Sequence, residues 1–233
     1  IMIYYLVKVR KIPFPYIISI PIVYITSWFG WFTSDKGWSR DFSTNPIISW
    51  LHYHREILNF HTGLTTQHSY QANPWSWIVM GRPTSFFYES PKSCGGKSCA
   101  QEVLAIGTPI LWWLGALALL FLIGTNLHNF AMREFDMASL IPFIGLLAGY
   151  LPWFFFQKRT VFTFYAIVIE PFLILAIVLL AKLAYEYDKR FKYLIALAVI
   201  AIAINFIYFL PIFTGQITTY DAWYARMWWS SWI

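Results

Sequence analysis

Charged side chains are scarce in this sequence of 233 residues, because Asp, Glu, Lys and Arg together make up only 12% of it. Soluble domains carry about 25%. Hydrophobic residues make up 58% and aromatic residues alone 21%, which excludes a disordered protein. A chain with so much apolar surface needs lipid as its solvent. The composition therefore predicts an all-α membrane protein.

Two other features are missing. No N-terminal stretch has the basic start and small-residue cleavage site of a signal peptide. The chain opens on the apolar residues 1–7 and continues into basic ones, which predicts the end of an earlier span and a C-terminal part of a longer protein.

The formal net charge is +6, but the basic residues lie beside apolar stretches and form no run with a binding motif. We therefore expect no nucleic-acid partner.

About five transmembrane helices are predicted, each of roughly 20 residues, enough to cross the hydrocarbon core. The predicted spans are 12–32, 103–124, 137–156, 161–183 and 193–213. Prolines such as Pro21 lie in the first span, and membrane helices tolerate them better than soluble helices do.

Basic residues in short loops predict the orientation of these spans. They precede the first span and separate the fourth from the fifth: Lys8, Arg10, Lys11, Lys182, Lys189, Arg190 and Lys192. Both segments then face the cytoplasm. The chain divides into a first span (1–34), an extracytoplasmic loop (35–102), a four-helix bundle (103–213) and an aromatic extracytoplasmic tail (214–233).

The long loop contains a predicted interfacial helix over 46–61. Asn45 caps it, and Pro46 suits its first turn. Residues spaced by three and four place a mixed apolar face on this helix. They are Ile47, Trp50, Leu51, His54, Leu58 and His61.

Cysteine and histidine offer two candidate sites in the loop. Cys94 and Cys99 are the only cysteines of the sequence, and outside the cytoplasm a short disulfide is favoured over a redox pair or a zinc site. Histidines recur at His52, His54, His61 and His68. They suggest a metal site, but no acidic cluster supports one, and hydrogen bonding to headgroups or turns is the preferred interpretation.

The turn 157–160 places Lys158 and Arg159 on the side of the membrane that the charge rule assigns to the outside. Two cations beside a helix start suit an anion such as a lipid phosphate. Basic side chains also reach headgroups routinely, so both interpretations stay open. Glu170, within the fourth span, either pairs with a basic residue or occupies a polar pocket.

Several stretches in this order closely resemble the C-terminal half of actinobacterial-type protein O-mannosyltransferases, which use polyprenyl-phosphate mannose. They are WLHYH at 50–54, NFH at 59–61, HSYQANPWSW at 68–77, GRPTS at 81–85, FYE at 87–89, the Cys94–Cys99 loop, QEVLA at 101–105, YLPW at 150–153, Arg159 and FTFY at 162–165. The resemblance covers most of the chain from Trp31 onward. It implies the C-terminal part of a glycosyltransferase of the GT-C type in a bacterial cell membrane.

The resemblance also implies an inverting enzyme that moves mannose from a lipid phosphate to Ser or Thr of a translocated protein, with no cofactor or metal. Its general base belongs to an acidic pair in an N-terminal loop that this sequence lacks, so we name no catalytic residue here and expect this chain alone to be inactive. Arg159 is the first candidate for the lipid phosphate. Lys158 and Arg82 follow, and His54 and Tyr165 are weaker candidates. The implied partners are membrane lipids, the donor, secreted acceptor proteins and the secretion translocon.

Two other functions remain alternatives. One is a related lipid-phosphate-sugar glycosyltransferase with a glycan or lipid acceptor. The other is a non-catalytic membrane module or part of a transporter. Transporters have inverted repeats and charged, broken helices at mid-membrane, whereas the polar signal here gathers at the interface.

The predicted orientation can be tested at Ser69, which lies in the extracytoplasmic loop. A membrane-impermeant thiol reagent should label the Ser69→Cys variant in intact cells, because the flanking short loops are basic. Labelling that requires permeabilised cells would reverse the orientation.

The predicted disulfide has a direct chemical test. Mass spectrometry of alkylated, unreduced protein should find Cys94 joined to Cys99. Replacing both cysteines should lower stability only modestly, since a short loop loses little chain entropy when it is closed. Two alkylated thiols in protein isolated without reductant would contradict the pairing.

Overall fold

The computed structural model describes residues 14–91, 98–132 and 137–233. The chain forms two compact units, Ile1–Leu64 and Thr65–Ile233. Cys94 and the basic residues before the first span lie outside the described residues. The disulfide and this part of the orientation argument therefore stay predictions.

The first unit contains helices α1 (Phe14–Ser27), α2 (Phe29–Thr33) and α3 (Pro46–Gly63). Helix α1 ends before Trp28, so the described part of the first predicted span consists of two short helices. The start of α3 is confirmed, because the Asn45 side chain accepts a hydrogen bond from the Ile47 amide over 2.9 Å. The helix ends at Gly63, two residues beyond the predicted His61.

Aromatic side chains hold α3 against α1 within this unit. Tyr24 of α1 lies 6.1 Å from Trp50 and 5.8 Å from His54 between ring centroids. Trp28, directly after α1, contacts Trp50, Tyr53 and His54 at 6.2, 5.6 and 4.8 Å. The predicted helix face therefore divides, because Trp50 and His54 pack inward. Its aliphatic members, Ile47, Leu51 and Leu58, remain exposed.

Polar contacts fix the loop that precedes α3. The Ser39 hydroxyl donates to the Glu56 carboxylate over 2.5 Å, and this hydrogen bond lowers the pKa of the Glu56 side chain. His52 lies 3.3 Å from the same carboxyl group and stacks on Phe42. His52 thus contributes to local packing within the first unit.

The second unit contains helices α4 (Pro109–Ala131), α5 (Met137–Tyr150), α6 (Glu170–Tyr187) and α7 (Phe191–Thr214). Two 3₁₀ helices, Leu151–Phe156 and Thr163–Ile169, follow α5 and precede α6. Four stretches are long and apolar enough to cross a membrane: Pro109–Ala131, Ala138–Phe156, Thr163–Tyr187 and Phe191–Thr214. They confirm four of the predicted spans.

Close backbone approach packs these helices together. Gly145 of α5 lies against Phe172 of α6, where a Cβ atom would come within 2.1 Å of the phenyl ring. Small residues at such contacts let membrane helices approach each other. The Asn205 side chain of α7 accepts a hydrogen bond from the Ile110 amide over 3.0 Å, which satisfies one unpaired donor in the first turn of α4.

A small antiparallel sheet corrects two expectations. It has the order β1-β2-β3, with β1 at Thr84–Glu89, β2 at Cys99–Ala105 and β3 at Thr218–Thr219. The described fold is thus mostly, but not entirely, helical. The start of the second span at Val103 is also wrong, because Val103 pairs with Phe87 in the sheet and α4 begins at Pro109. An apolar run of this length suits a buried strand as well as a helix.

The aromatic tail packs against the loop through indole hydrogen bonds. Trp232 donates to the Met80 carbonyl over 2.8 Å. Trp223, in the short helix α8 (Tyr220–Tyr224), donates to the buried carboxylate of Glu102 in β2 over 2.5 Å. The tail and the sheet therefore form one layer at the ends of the helices.

The Trp223–Glu102 hydrogen bond makes a prediction about stability. Trp223→Phe removes the only donor atom of the side chain and leaves a buried carboxylate with one bond fewer. Unfolding should become easier by about 1–3 kcal/mol. Thermal unfolding in detergent measures the loss, and Trp229→Phe is a matched control, because Trp229 is 38% exposed. Equal stability of the two variants would show that the buried bond contributes nothing.

Candidate functional site

The turn 157–160 is held in place at the end of α5. The Arg159 amide donates to the Phe156 carbonyl over 3.0 Å. The hydroxyl of Thr160, which is 5% exposed, donates to the Thr66 carbonyl. Both bonds fix the backbone on either side of the Arg159 side chain.

Two aromatic rings support the Arg159 guanidinium. Its carbon lies 5.6 Å from the ring centroids of both Trp153 and Tyr165. These rings stack on each other at 4.7 Å with an interplanar angle of 9°. Cation–π contacts of this kind fix the place and orientation of a guanidinium.

The aromatic pair rests on Trp77, which is fully buried. Trp77 lies 5.5 Å from Trp153 and 6.1 Å from Tyr165 between ring centroids. Its indole donates to the Ala72 carbonyl over 2.9 Å. The position of Arg159 is thus coupled to the loop that contains residues 72–77.

A small polar cavity of about 40 Å³ lies beside Arg159. Two chain segments form it, joined by a 2.8 Å hydrogen bond from the Ala72 amide to the Val161 carbonyl. Its lining residues are Gln71, Ala72, Asn73, Gln157, Arg159 and Val161. Among these described residues there is a guanidinium and there are side-chain amides but no carboxylate, which suits an anionic or hydroxyl-bearing ligand.

The structure brings only some of the predicted residues together. Tyr165 contacts Arg159, as described above, and Lys158 lies exposed in the same turn. Arg82 instead supports the tail, donating to the main-chain oxygens of Ser231 at 2.6 Å and Ile233 at 2.7 Å. This contact gives Arg82 a structural role.

His54 belongs to the first unit, where both of its ring nitrogens are engaged. Nδ1 lies 2.7 Å from the Trp50 carbonyl and Nε2 lies 2.5 Å from the Tyr24 hydroxyl. A carbonyl can only accept, so Nδ1 carries a proton and donates to Trp50. Through the chain ranges that the structure describes, no three His, Cys, Asp or Glu side chains form a metal-binding group.

The neutral side chains of the cavity, Gln71, Asn73 and Gln157, were not among the predicted site residues, and neither was the supporting Trp153. Gln71, Asn73 and Trp153 stand within the stretches that carry the family resemblance, so that pattern could have indicated them. Their neighbourhood could not be predicted, because residues 71–73 and 157–161 are far apart in the chain.

Comparisons with known proteins agree with this architecture. Residues 47–232 match the family described as the C-terminal four TMM region of protein-O-mannosyltransferase. The polyprenol-phosphate-mannose–protein mannosyltransferase of Corynebacterium glutamicum is 29% identical over 91% of this chain and 45% of its own length. The protein of that name in Mycolicibacterium smegmatis is 30% identical over 90% of this chain and 45% of its own length.

The chain therefore spans about half the length of the curated relatives that it matches, each covered to 45%. A solved structure titled S. cerevisiae protein O-mannosyltransferase Pmt1-Pmt2 complex bound to the sugar donor has the same fold. The TM-score is 0.65 at 21% identity, covering 82% of this chain and 28% of that chain. The chain belongs to the family of the C-terminal membrane region of protein O-mannosyltransferases.

Proposed function

We propose that this chain is the C-terminal part of a membrane enzyme that transfers mannose from polyprenyl-phosphate mannose to Ser or Thr of translocated proteins. One observation in the structure carries the proposal. Arg159 is held by stacked aromatic rings beside a cavity whose described lining residues include no carboxylate. The names of the relatives supply the sugar, the carrier class and the protein acceptor, and they favour this function over a glycan or lipid acceptor.

The proposed reaction is a displacement at the anomeric carbon of mannose. The acceptor hydroxyl attacks this carbon and loses its proton to a carboxylate, which we assign to the half of the enzyme outside this chain. The bond to the lipid phosphate breaks, and the phosphate keeps the electron pair. Negative charge therefore grows on the phosphate oxygens as the reaction proceeds.

Arg159 is the group that we propose to stabilise this growing charge. A guanidinium can donate two parallel hydrogen bonds to phosphate oxygens, and it stays charged at any working pH. The amides of Gln71, Asn73 and Gln157 line the same cavity and can donate to further oxygens. Tyr165 and Trp153 act as positioning residues, and the exposed Lys158 adds positive potential.

The chain is a multi-pass membrane protein, and we infer that its long loop and C-terminal tail face away from the cytoplasm. The basic residues at the connection of α6 and α7 support this orientation, since Lys189 and Arg190 lie in the loop and Lys192 lies in the first turn of α7. Lipid-linked donor and unfolded secreted acceptors would then meet on the outer side, where a secretion translocon delivers the acceptor. Such a sugar transfer needs neither a cofactor nor a metal.

Replacing Arg159 with Ala in the full-length enzyme tests the phosphate site. Turnover of a Ser/Thr peptide should fall by about a hundredfold or more, because the leaving phosphate loses its main electrostatic partner. Arg159→Lys should recover only part of the rate, since an ammonium lacks the two-pronged geometry. Rates are measured with purified enzyme and polyprenyl-phosphate mannose.

Arg190→Ala is the matched control, because the Arg190 side chain is 87% exposed and pairs only with the nearby Asp188 among the described residues. Thermal unfolding checks the fold, since loss of the cation–π contacts alone should cost about 0.5–1 kcal/mol. A folded Ala variant with wild-type turnover would show that Arg159 only anchors the protein to headgroups.

A further inference from the structure

A second and larger cavity, of about 150 Å³, lies where the sheet meets the helices. The end of β2, the first turn of α4 and the 3₁₀ helix before α6 surround it. Its apolar walls are Met80, Ala105, Ile106, Phe164 and Ile167. It shares no described lining residue with the cavity beside Arg159, so it is a separate site.

A buried donor faces this cavity. Trp112 is 4% exposed, and its indole Nε1 faces the Glu170 carboxyl group without completing a hydrogen bond of ordinary geometry to it or to another described residue. Gly107 permits the arrangement, since a Cβ atom there would come within 2.1 Å of this nitrogen. A buried N–H whose nearest acceptor is poorly aligned costs free energy, so a ligand oxygen that enters the cavity can accept from the indole in better geometry.

An acceptor lies on the same cavity wall. Glu170, the first residue of α6, is half-buried and is the only charged residue among the described residues that line the cavity. Glu170 therefore lines a largely apolar pocket. The Thr163 hydroxyl, also on the wall, is already used in donating to the Arg82 carbonyl.

This pair of groups selects the class of ligand. A phosphate would be repelled by the Glu170 carboxylate. An ammonium ion could not accept a hydrogen bond from Trp112. A neutral hydroxyl satisfies both groups, because it donates to the carboxylate and accepts from the indole. The apolar face of the same ligand can pack on Phe164 and Ile167.

The size of the cavity favours more than a single hydroxyl group. At ~30 Å³ per water molecule, it has room for about five waters, which matches a single monosaccharide ring better than a Ser or Thr side chain. Sugar rings combine hydroxyl groups with an apolar face.

We propose that this cavity binds a mannosyl group, with Glu170 accepting from a sugar hydroxyl and Trp112 donating to one. The identity of the sugar rests on the proposed function. Two molecules carry the group in that reaction, the lipid-linked donor and the mannosylated peptide.

Kinetics of full-length Glu170→Gln and Trp112→Phe distinguish these sources. If the donor's sugar occupies the cavity, the KM for polyprenyl-phosphate mannose should rise about tenfold, while inhibition by sugar-free polyprenyl phosphate stays unchanged. If the mannosylated peptide occupies it, product inhibition by that peptide should weaken about tenfold, with the donor KM unchanged. Glu186→Gln is the matched control, because Glu186 lies in the same helix with its side chain 57% exposed.

A binding measurement reports on the site without turnover. In ¹⁵N-tryptophan-labelled enzyme, the indole N–H resonance that Trp112→Phe removes should shift when a mannose-bearing ligand is added, but not with polyprenyl phosphate. Glu170→Gln should require about tenfold more ligand for the same shift.

The proposal would be overturned if the Trp112 indole resonance did not shift and both variants had wild-type kinetics. The cavity would then hold only water. A shifted resonance in a wild-type enzyme that transfers no mannose would support the sugar site and refute the proposed function.

Discussion

Burial of the Trp77 indole is the interaction on which the rest of the second unit depends. The ring is fully buried, donates to the Ala72 carbonyl over 2.9 Å and lies 6.0 Å from Tyr150 between centroids. The hydroxyl of Tyr150 donates in turn to the Pro74 carbonyl. One side chain of the loop thus joins the ends of two membrane helices, and the rings that support Arg159 pack against it at steep angles. A loop without this anchor would leave the guanidinium unpositioned.

The segment from 157 to 170 separates opposite charges. Arg159, at its start, lines a polar cavity whose described lining residues include no carboxylate, whereas Glu170, at its end, lines an apolar cavity in which it is the only charged residue described. An anion and a neutral hydroxyl group therefore have different places to bind. This arrangement suits a substrate in which a phosphate and a sugar are joined, because each part meets the chemistry that favours it.

Prediction from sequence failed where an apolar run could form either a strand or the start of a membrane helix. Residues 103–105 are apolar enough to begin a span, yet they pair with residues 84–87 of β1. The surroundings of Arg82 were not predictable either. Its guanidinium donates to main-chain oxygens of the tail, about 150 residues away in sequence. No local pattern carries that information.

The sequence by itself determined the membrane class, the four spans from α4 to α7, the cap of α3 and the placement of Arg159 in a short turn, since composition, periodicity and capping are local properties. Only the tertiary structure decided what surrounds each charge. The amides of residues 71–73 beside Arg159 and the indole that shares a cavity with Glu170 come from distant segments. The rings of Trp153 and Tyr165 are near Arg159 in the chain, but they stack on each other only in the folded turn. Their proximity follows from packing, because buried rings and unpaired donors find partners only when the chain has folded.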